Sequence, residues 1–211
     1  MVDLTELTID TYNNLAKQYE KDYFNNTDDM QYVEKFIQYL NGNKILDVGC
    51  GCGNLSIILA EKNYDVTGID LSDKMLEIAK VKVPSVKFEK QDMRKTNFQN
   101  ETFDGLFVCR SLFHIKSEEI PQTLAEFYRI LRNNGTIAII VRVTEKPFEQ
   151  IEKEVYNPNL NIFFKYFSED EIIKELDSAN FKIKYKDIRE ILDIDSEKVV
   201  KNMLIIAEKG V

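Results

Sequence analysis

Glycine stands at every second position of Asp47-Val-Gly49-Cys50-Gly51-Cys52-Gly53, directly after the apolar stretch Ile45-Leu-Asp-Val48. That spacing lets a backbone come close to a ligand and take turns that side chains resist. A helix opening after Gly53 would aim its first amides at the same ligand. Asp70 closes the next apolar stretch, where a carboxylate accepts two hydrogen bonds from a ribose diol. Gln91-Asp92-Met93 pairs an acid with a flexible apolar side chain suited to an adenine ring. Cys109-Arg110-Ser111 follows a fourth apolar stretch. His114, the chain's single histidine, comes just after it and has the ordinary pKa range of a general base. The run Ser111-Leu-Phe-His-Ile equally fits a turn that only holds the strand end in place.

These residues gain meaning from the elements that must position them. Short apolar strands are expected at 44–48, 65–70, 86–90, 103–109 and 136–143, alternating with amphipathic helices at 28–40, 54–62, from Ser72 to Pro84 and from Ser117 to Asn133-Asn134-Gly135. Ser72 is an N-cap for Met75, Leu76 and Ala79, and Ser168-Glu-Asp-Glu171 is a capping box. The alternation predicts an α/β fold, a doubly wound parallel sheet whose strand ends carry the ligand. Phe181–Ile188 and Asn202–Glu208 lack a crossover helix and predict an antiparallel hairpin at the C-terminal edge. Between Pro147 and Ser168 no regular pattern is evident. Phe148, Tyr156, Phe163, Phe164, Tyr166 and Phe167 there read either as a small cluster packed on the sheet or as an aromatic lid over a pocket.

Composition narrows the function classes. With 211 residues, 44% hydrophobic and 30% charged, the chain suits one globular domain with a buried core. A net charge of −8, from 36 acidic against 28 basic residues, argues against gripping nucleic acid. No apolar run approaches the ~20 residues of a membrane span, and Met1-Val-Asp-Leu-Thr-Glu does not resemble a signal peptide. Three cysteines, an odd and low count, predict reduced thiols and a cytoplasmic setting. Cys50 and Cys52 are one residue apart, the wrong spacing for zinc, so no metal is expected from Asp47, Cys50, Cys52 and His114.

The ordered series resembles the seven-stranded, Rossmann-like class I S-adenosylmethionine-dependent methyltransferases, in particular their small-molecule branch (methyltransferase type 11/25-like). Ile45-Leu-Asp-Val-Gly-Cys-Gly-Cys-Gly53 is similar to that family's first motif, Gly68-Ile-Asp70-Leu71-Ser its second and Asp92-Met93 its third. Phe103-Asp-Gly-Leu-Phe-Val and Arg129-Ile-Leu-Arg-Asn-Asn-Gly135-Thr resemble its later motifs, over about residues 12–143 in all. The resemblance implies a mostly parallel seven-stranded sheet and a cofactor bound by Gly49, Cys50, Gly51, Gly53, Asp70, Leu71, Asp92 and Met93, with Asp47 either anchoring the glycine loop or reaching the cofactor's amino group. Cys109 and Arg110, a position variable in that family, are expected beside the cofactor's reactive end because they follow the fourth strand. Tyr12-Asn-Asn-Leu-Ala16-Lys-Gln-Tyr19 resembles the helix that folds over the cofactor, which implies that Tyr19 caps it; packing alone would also explain that helix face. Expected, then, is one domain over 1–211. It comprises a helical cap at 1–43, a cofactor core at 44–143, a candidate substrate lid at 144–167 and a C-terminal helix with edge strands at 168–211.

The expected activity is transfer of a methyl group to a small-molecule acceptor, leaving S-adenosylhomocysteine, with His114 as the candidate base. Two alternatives stand beside it. One is a cofactor-binding or partner protein without catalysis. The other is an NAD-dependent oxidoreductase, disfavoured because Ser56 stands where the dinucleotide fingerprint Gly51-Cys-Gly53-x-x-Gly needs a glycine.

Overall fold

A computed structural model describes residues 3–26, 28–193 and 198–210; Met1 and Val2, read above for a leader, lie outside them. Two helices come first: α1 (Leu4–Tyr23), capped by Asp3, and α2 (Met30–Tyr39). The alternating core follows as β1 (Lys44–Val48), α3 (Asn54–Glu61), β2 (Asp65–Asp70), α4 (Asp73–Lys82), β3 (Lys87–Lys90) and β4 (Phe103–Cys109). Two 3-10 turns, Leu112–His114 and Ser117–Glu119, lead into α5 (Ile120–Ile130) and β5 (Leu131–Val143). Then come β6 (Phe148–Lys153), β7 (Asn161–Tyr166), α6 (Glu169–Ser178), β8 (Phe181–Asp193) and β9 (Lys198–Lys209).

Seven strands form one sheet in the order β3-β2-β1-β4-β5-β9-β8. The first five run parallel, and β9 enters antiparallel between β5 and β8. The expected mostly parallel, doubly wound sheet with its antiparallel C-terminal hairpin is therefore present. Its physical basis is clearest in β4, where every residue is buried. Leu106 and Val108 face the layer holding Leu124 and Phe127 of α5 and Ile172 of α6, while Phe107 and Cys109 face Val33 and Phe36 of α2 and Leu59 of α3. A strand covered on both faces needs a continuous apolar run, as observed.

Three regions depart from the sequence expectation. The helix after Ser117 opens as a 3-10 turn and ends at Ile130, not at Asn133-Asn134-Gly135. Leu131 already pairs with Phe103, and its carbonyl accepts from Lys209 Nζ at 2.8 Å, so the tertiary partner takes the residue out of the helix. Segment 144–167 contains the antiparallel hairpin β6–β7. β6 (Phe-Glu-Gln-Ile-Glu-Lys) is largely exposed and so carries no alternation to read. The terminal strands are also longer than expected, because each continues past its apolar part as a paired ribbon.

The hairpin is fastened to the core. Lys165 is 2% exposed and donates to Ser117 Oγ at 2.7 Å and to Glu171 Oε1 at 2.9 Å. Thr11 Oγ1 of α1 donates to the Asn161 carbonyl at 2.6 Å. α1 and β7 thus close over the C-terminal ends of the parallel strands.

Candidate functional site

Between that roof and the strand ends lies a cavity of about 270 Å³. Its floor is the loop after β1. Gly49 and Gly51 have φ of +71° and +53°, the left-handed region. A Cβ on Gly49 would sit 2.3 Å from Ser111 Cβ, whereas one on Gly51 would meet nothing within 4 Å. Gly49 therefore lets β1 and β4 approach, secured by Ser111 Oγ donating to the Val48 carbonyl at 2.7 Å. Gly51 presents bare backbone to open space.

Asp70 stands beside this loop. Its Oδ2 accepts from the Gly51 amide at 2.9 Å and its Oδ1 from the Ser72 amide at 2.8 Å. Burial raises its pKa, opposed by those amides. The carboxylate is held rigidly, with one lone-pair direction on each oxygen still available. Asp47 is 2% exposed and accepts from Ser56 Oγ at 2.6 Å, which ties β1 to α3. Burial pushes its pKa up to about 7. Asp92 is gripped by Arg94, Nε to Oδ1 at 3.0 Å and Nη2 to Oδ2 at 2.6 Å, and Arg94 continues to Glu119 at 2.7 Å.

Twelve of the thirteen residues expected at the site line the cavity: Tyr19, Asp47, Gly49, Cys50, Gly51, Asp70, Leu71, Asp92, Met93, Cys109, Arg110 and His114. Gly53 does not. Its position packs instead against Phe88 and Ala79, and it caps α3 in the left-handed conformation. Cys50 and Cys109 are buried, and burial pushes both thiols well up, so they remain protonated and inert. Arg110 is held at φ +54°, with Nη2 on Asp29 at 2.8 Å and a buried Nε without a hydrogen-bond partner. Among the described residues no group of three His, Cys, Asp or Glu could hold a metal ion, and no helix is long and apolar enough to cross a membrane.

The unanticipated feature is a dyad. His114 Nδ1 lies 2.8 Å from the Phe163 carbonyl, which can only accept, so Nδ1 carries the proton. Its Nε2 is then an acceptor, 2.8 Å from the Tyr12 hydroxyl, which donates to it. Burial, with the charge of Arg142, pushes the imidazole down to about 4, so it is neutral at ordinary pH. Tyr12 is raised above its usual range, chiefly by burial. Its ring meets Tyr19 edge-on at 5.5 Å, and Tyr19 stacks obliquely on Tyr23 at 4.6 Å, forming an aromatic roof. Sequence reading placed Tyr12 on the correct helix face but gave it no role, since its partner is 102 residues away. It also passed over Arg142, a charge near the end of the apolar run of β5 that lines the cavity; of the aromatic residues read as a cluster or a lid, Phe164 lines it too.

The cavity fits an adenosyl amino acid: bare backbone at Gly51, a fixed diol acceptor at Asp70, and an orphan donor at Arg110 for a carboxylate. Known proteins agree. Residues 45–135 match the methyltransferase domain family. The chain is similar to a putative methyltransferase (YqeM) of Bacillus subtilis, 39% identical over 49% of this chain and 44% of that protein. The chain spans about half the length of the first such curated relatives. A S-adenosylmethionine-dependent methyltransferase structure from Methanosarcina mazei shares the fold with TM-score 0.76 at 20% identity, covering 83% of this chain and 96% of that one. So does phosphoethanolamine N-methyltransferase 2 of Haemonchus contortus, described with phosphomonomethylethanolamine and S-adenosylhomocysteine. Its TM-score is 0.76 at 16% identity, over 100% of this chain and 61% of that one.

Proposed function

We propose, from the premise that the chain belongs to the class I S-adenosylmethionine-dependent methyltransferases, that it methylates a small-molecule acceptor. The observation that carries this reading is one cavity with two differently built halves. One half is a carboxylate-rich backbone cradle, and the other holds the Tyr12–His114 dyad under an aromatic roof.

When bound, the cofactor supplies a methyl group already activated on a sulfonium. The chain's own work is then holding, aligning and drying the reactants. Asp70 accepts from the ribose hydroxyls, held in place by the Gly51 and Ser72 amides. Leu71, Asp92 and Met93 border the adenine, and Cys50 and Cys109 fill the wall behind the loop. Asp47 attracts the ammonium group and the Nε edge of Arg110 takes the carboxylate. Tyr19 closes the roof.

The dyad handles the proton. As the acceptor's nucleophilic atom loses its proton to the Tyr12 oxygen, the Tyr12 proton passes to His114 Nε2. The imidazole becomes a cation stabilised by the Phe163 carbonyl on Nδ1. His114 thus acts through Tyr12. Residues 144–167, which contain the β6–β7 hairpin, act as the lid and reach the cavity through Phe164. The three free thiols and the acidic balance support a cytoplasmic enzyme that does not act on nucleic acid.

Calorimetric titration with S-adenosylhomocysteine, followed by labelled-methyl transfer to a panel of phenols, amines and acids, tests the reading. Binding and transfer are expected. Binding without transfer to any acceptor would favour the non-catalytic alternative, and preference for NAD would overturn the family reading.

A further inference from the structure

We propose that Asn13 is a positioning residue for both halves of the cavity: its side-chain oxygen ties α1 to Ser72 beside the cofactor cradle, and by fixing that helix it keeps Tyr12 on His114. This rests on the methyltransferase reading, in which Asp70 holds the ribose.

The apolar grip on α1 is slight. Of its 20 residues only Thr8, Thr11, Leu15 and Ala16 are buried. Ala16 meets Cys52 and Met75 in a small cluster apart from the two that flank the sheet. Toward the helix ends, Arg94 donates to Thr5 Oγ1 at 3.2 Å and Lys82 pairs with Glu20 at 2.6 Å, the latter a partly exposed ion pair of the kind that contributes little. The middle of the helix is held by three consecutive side chains. Thr11 donates to the Asn161 carbonyl of β7, Tyr12 donates to His114 after β4, and Asn13 accepts from α4. Successive residues turn by about 100° around a helix, so the three fan over about 200° and reach three different elements. A helix pinned in three directions cannot rotate or slide without breaking one of the bonds.

The third pin leads into the cofactor half. Asn13 Oδ1 accepts from Ser72 Oγ at 2.8 Å and from the Lys74 amide at 3.2 Å, across 59 and 61 residues. A backbone amide only donates, so it is the oxygen of the Asn13 side chain that faces it. Ser72 Oγ in turn accepts from the Met75 amide at 3.2 Å, and the Ser72 amide donates to Asp70 Oδ1 at 2.8 Å. Two first-turn amides that α4 cannot satisfy itself are thus covered, one by its own Ser72 and one by Asn13. The hydrogen bonds continue from α1 through Ser72 to Asp70, whose other oxygen holds Gly51. Tyr12 is the chain neighbour of Asn13 and meets the acceptor half. Asn13 therefore acts on the cofactor through Ser72 and Asp70, and on the proton relay through the helix.

The test uses the full chain, with calorimetric titration of S-adenosylhomocysteine and NMR of the imidazole nitrogens. His114 is the single histidine, so its Nε2 shift reads without ambiguity whether a hydroxyl donates to it, and Tyr12→Phe supplies the value with no donor. Alanine is the better helix former, so Asn13→Ala does not weaken α1 itself. That variant should bind S-adenosylhomocysteine about fivefold more weakly, from the loss of two neutral hydrogen bonds. Without ligand its Nε2 shift should move toward the Tyr12→Phe value, and saturating S-adenosylhomocysteine should bring it back, since ligand and docked helix favour each other. Asn13→Asp keeps the accepting oxygen, at a helix N-terminus where a carboxylate is favoured, and should keep the wild-type shift. Ser72→Ala removes the other partner and should move the His114 signal in the same direction from α4; it decides the matter if Asn13→Ala does not fold. An Nε2 shift that stays at its wild-type value in Asn13→Ala or in Ser72→Ala would overturn the proposal. So would unchanged S-adenosylhomocysteine affinity in Asn13→Ala, or Asn13→Asp behaving like Asn13→Ala. Failure of the wild-type chain to bind S-adenosylhomocysteine at all would overturn the methyltransferase reading itself, and the ligand-free shifts would still decide whether Asn13 holds Tyr12.

Discussion

The two halves of the cavity are built in opposite ways. In the cofactor half the decisive contacts are local. Ser72 reaches Asp70 across 2 residues, Ser56 reaches Asp47 across 9, and Gly51 reaches Asp70 across 19. The first two each lie within a single βα unit, and the third joins two units that the parallel sheet sets side by side. In the acceptor half the contacts are distant: Tyr12 to His114 across 102 residues, His114 to Phe163 across 49, Thr11 to Asn161 across 150. Three segments with no local reason to meet are brought together above the sheet. A site made this way holds one ligand by backbone and leaves the other to side chains that can vary without disturbing the cradle.

If that contrast is right, damage to the cradle should unfold or empty the protein, while damage to the dyad should slow it. Gly49→Ala puts a methyl 2.3 Å from Ser111 Cβ at a φ of +71° and should cost about 3 kcal/mol in urea unfolding, with S-adenosylhomocysteine binding lost. A variant as stable as wild type would break the comparison. His114 offers a pH test. Its folded pKa of about 4 lies below the ordinary ~6.5, so the unfolded chain takes up the proton first. Its contribution is complete above pH ~6.5 and is lost as pH falls toward 4, by about 3 kcal/mol in all. The stability gap between wild type and His114→Gln should narrow over that window and stay constant from pH 7 to 8.

Tyr12→Phe leaves His114 Nε2 without its donor and removes the relay. Turnover should fall about thirtyfold, near 2 kcal/mol, with cofactor affinity changed by less than about threefold. An equal loss in both would mean that the halves are not separable. Asp70→Ala, within the cradle, should weaken S-adenosylhomocysteine more than about tenfold by calorimetry, from the loss of charge-assisted bonds. Asp92→Ala should do least, about two- to threefold, since Arg94 already occupies both carboxylate oxygens. A loss as large as that of Asp70→Ala would show that Arg94 yields to the ligand.

The same contrast explains what could be read in advance. Lys44–Val48, Asp65–Asp70 and Phe103–Cys109 are strands at the expected bounds, because runs buried on both faces admit no other reading. Ser72 caps α4 as expected, since capping is a matter of three residues. Where a long-range partner decides, the expectation slipped. Lys209 and Phe103 draw Leu131 from the helix into β5, and Gly53 faces Phe88 rather than the cavity.

By itself, then, the sequence determined the parallel core, the glycine cradle and the carboxylates at its strand ends, because each follows from periodicity and spacing within one βα unit. Only the tertiary structure decided that Tyr12 stands on His114, that β7 fixes which imidazole nitrogen carries the proton, and that Arg142 lines the same cavity. Those depend on how α1 and the hairpin close over the sheet, and no local pattern encodes a meeting of residues a hundred positions apart.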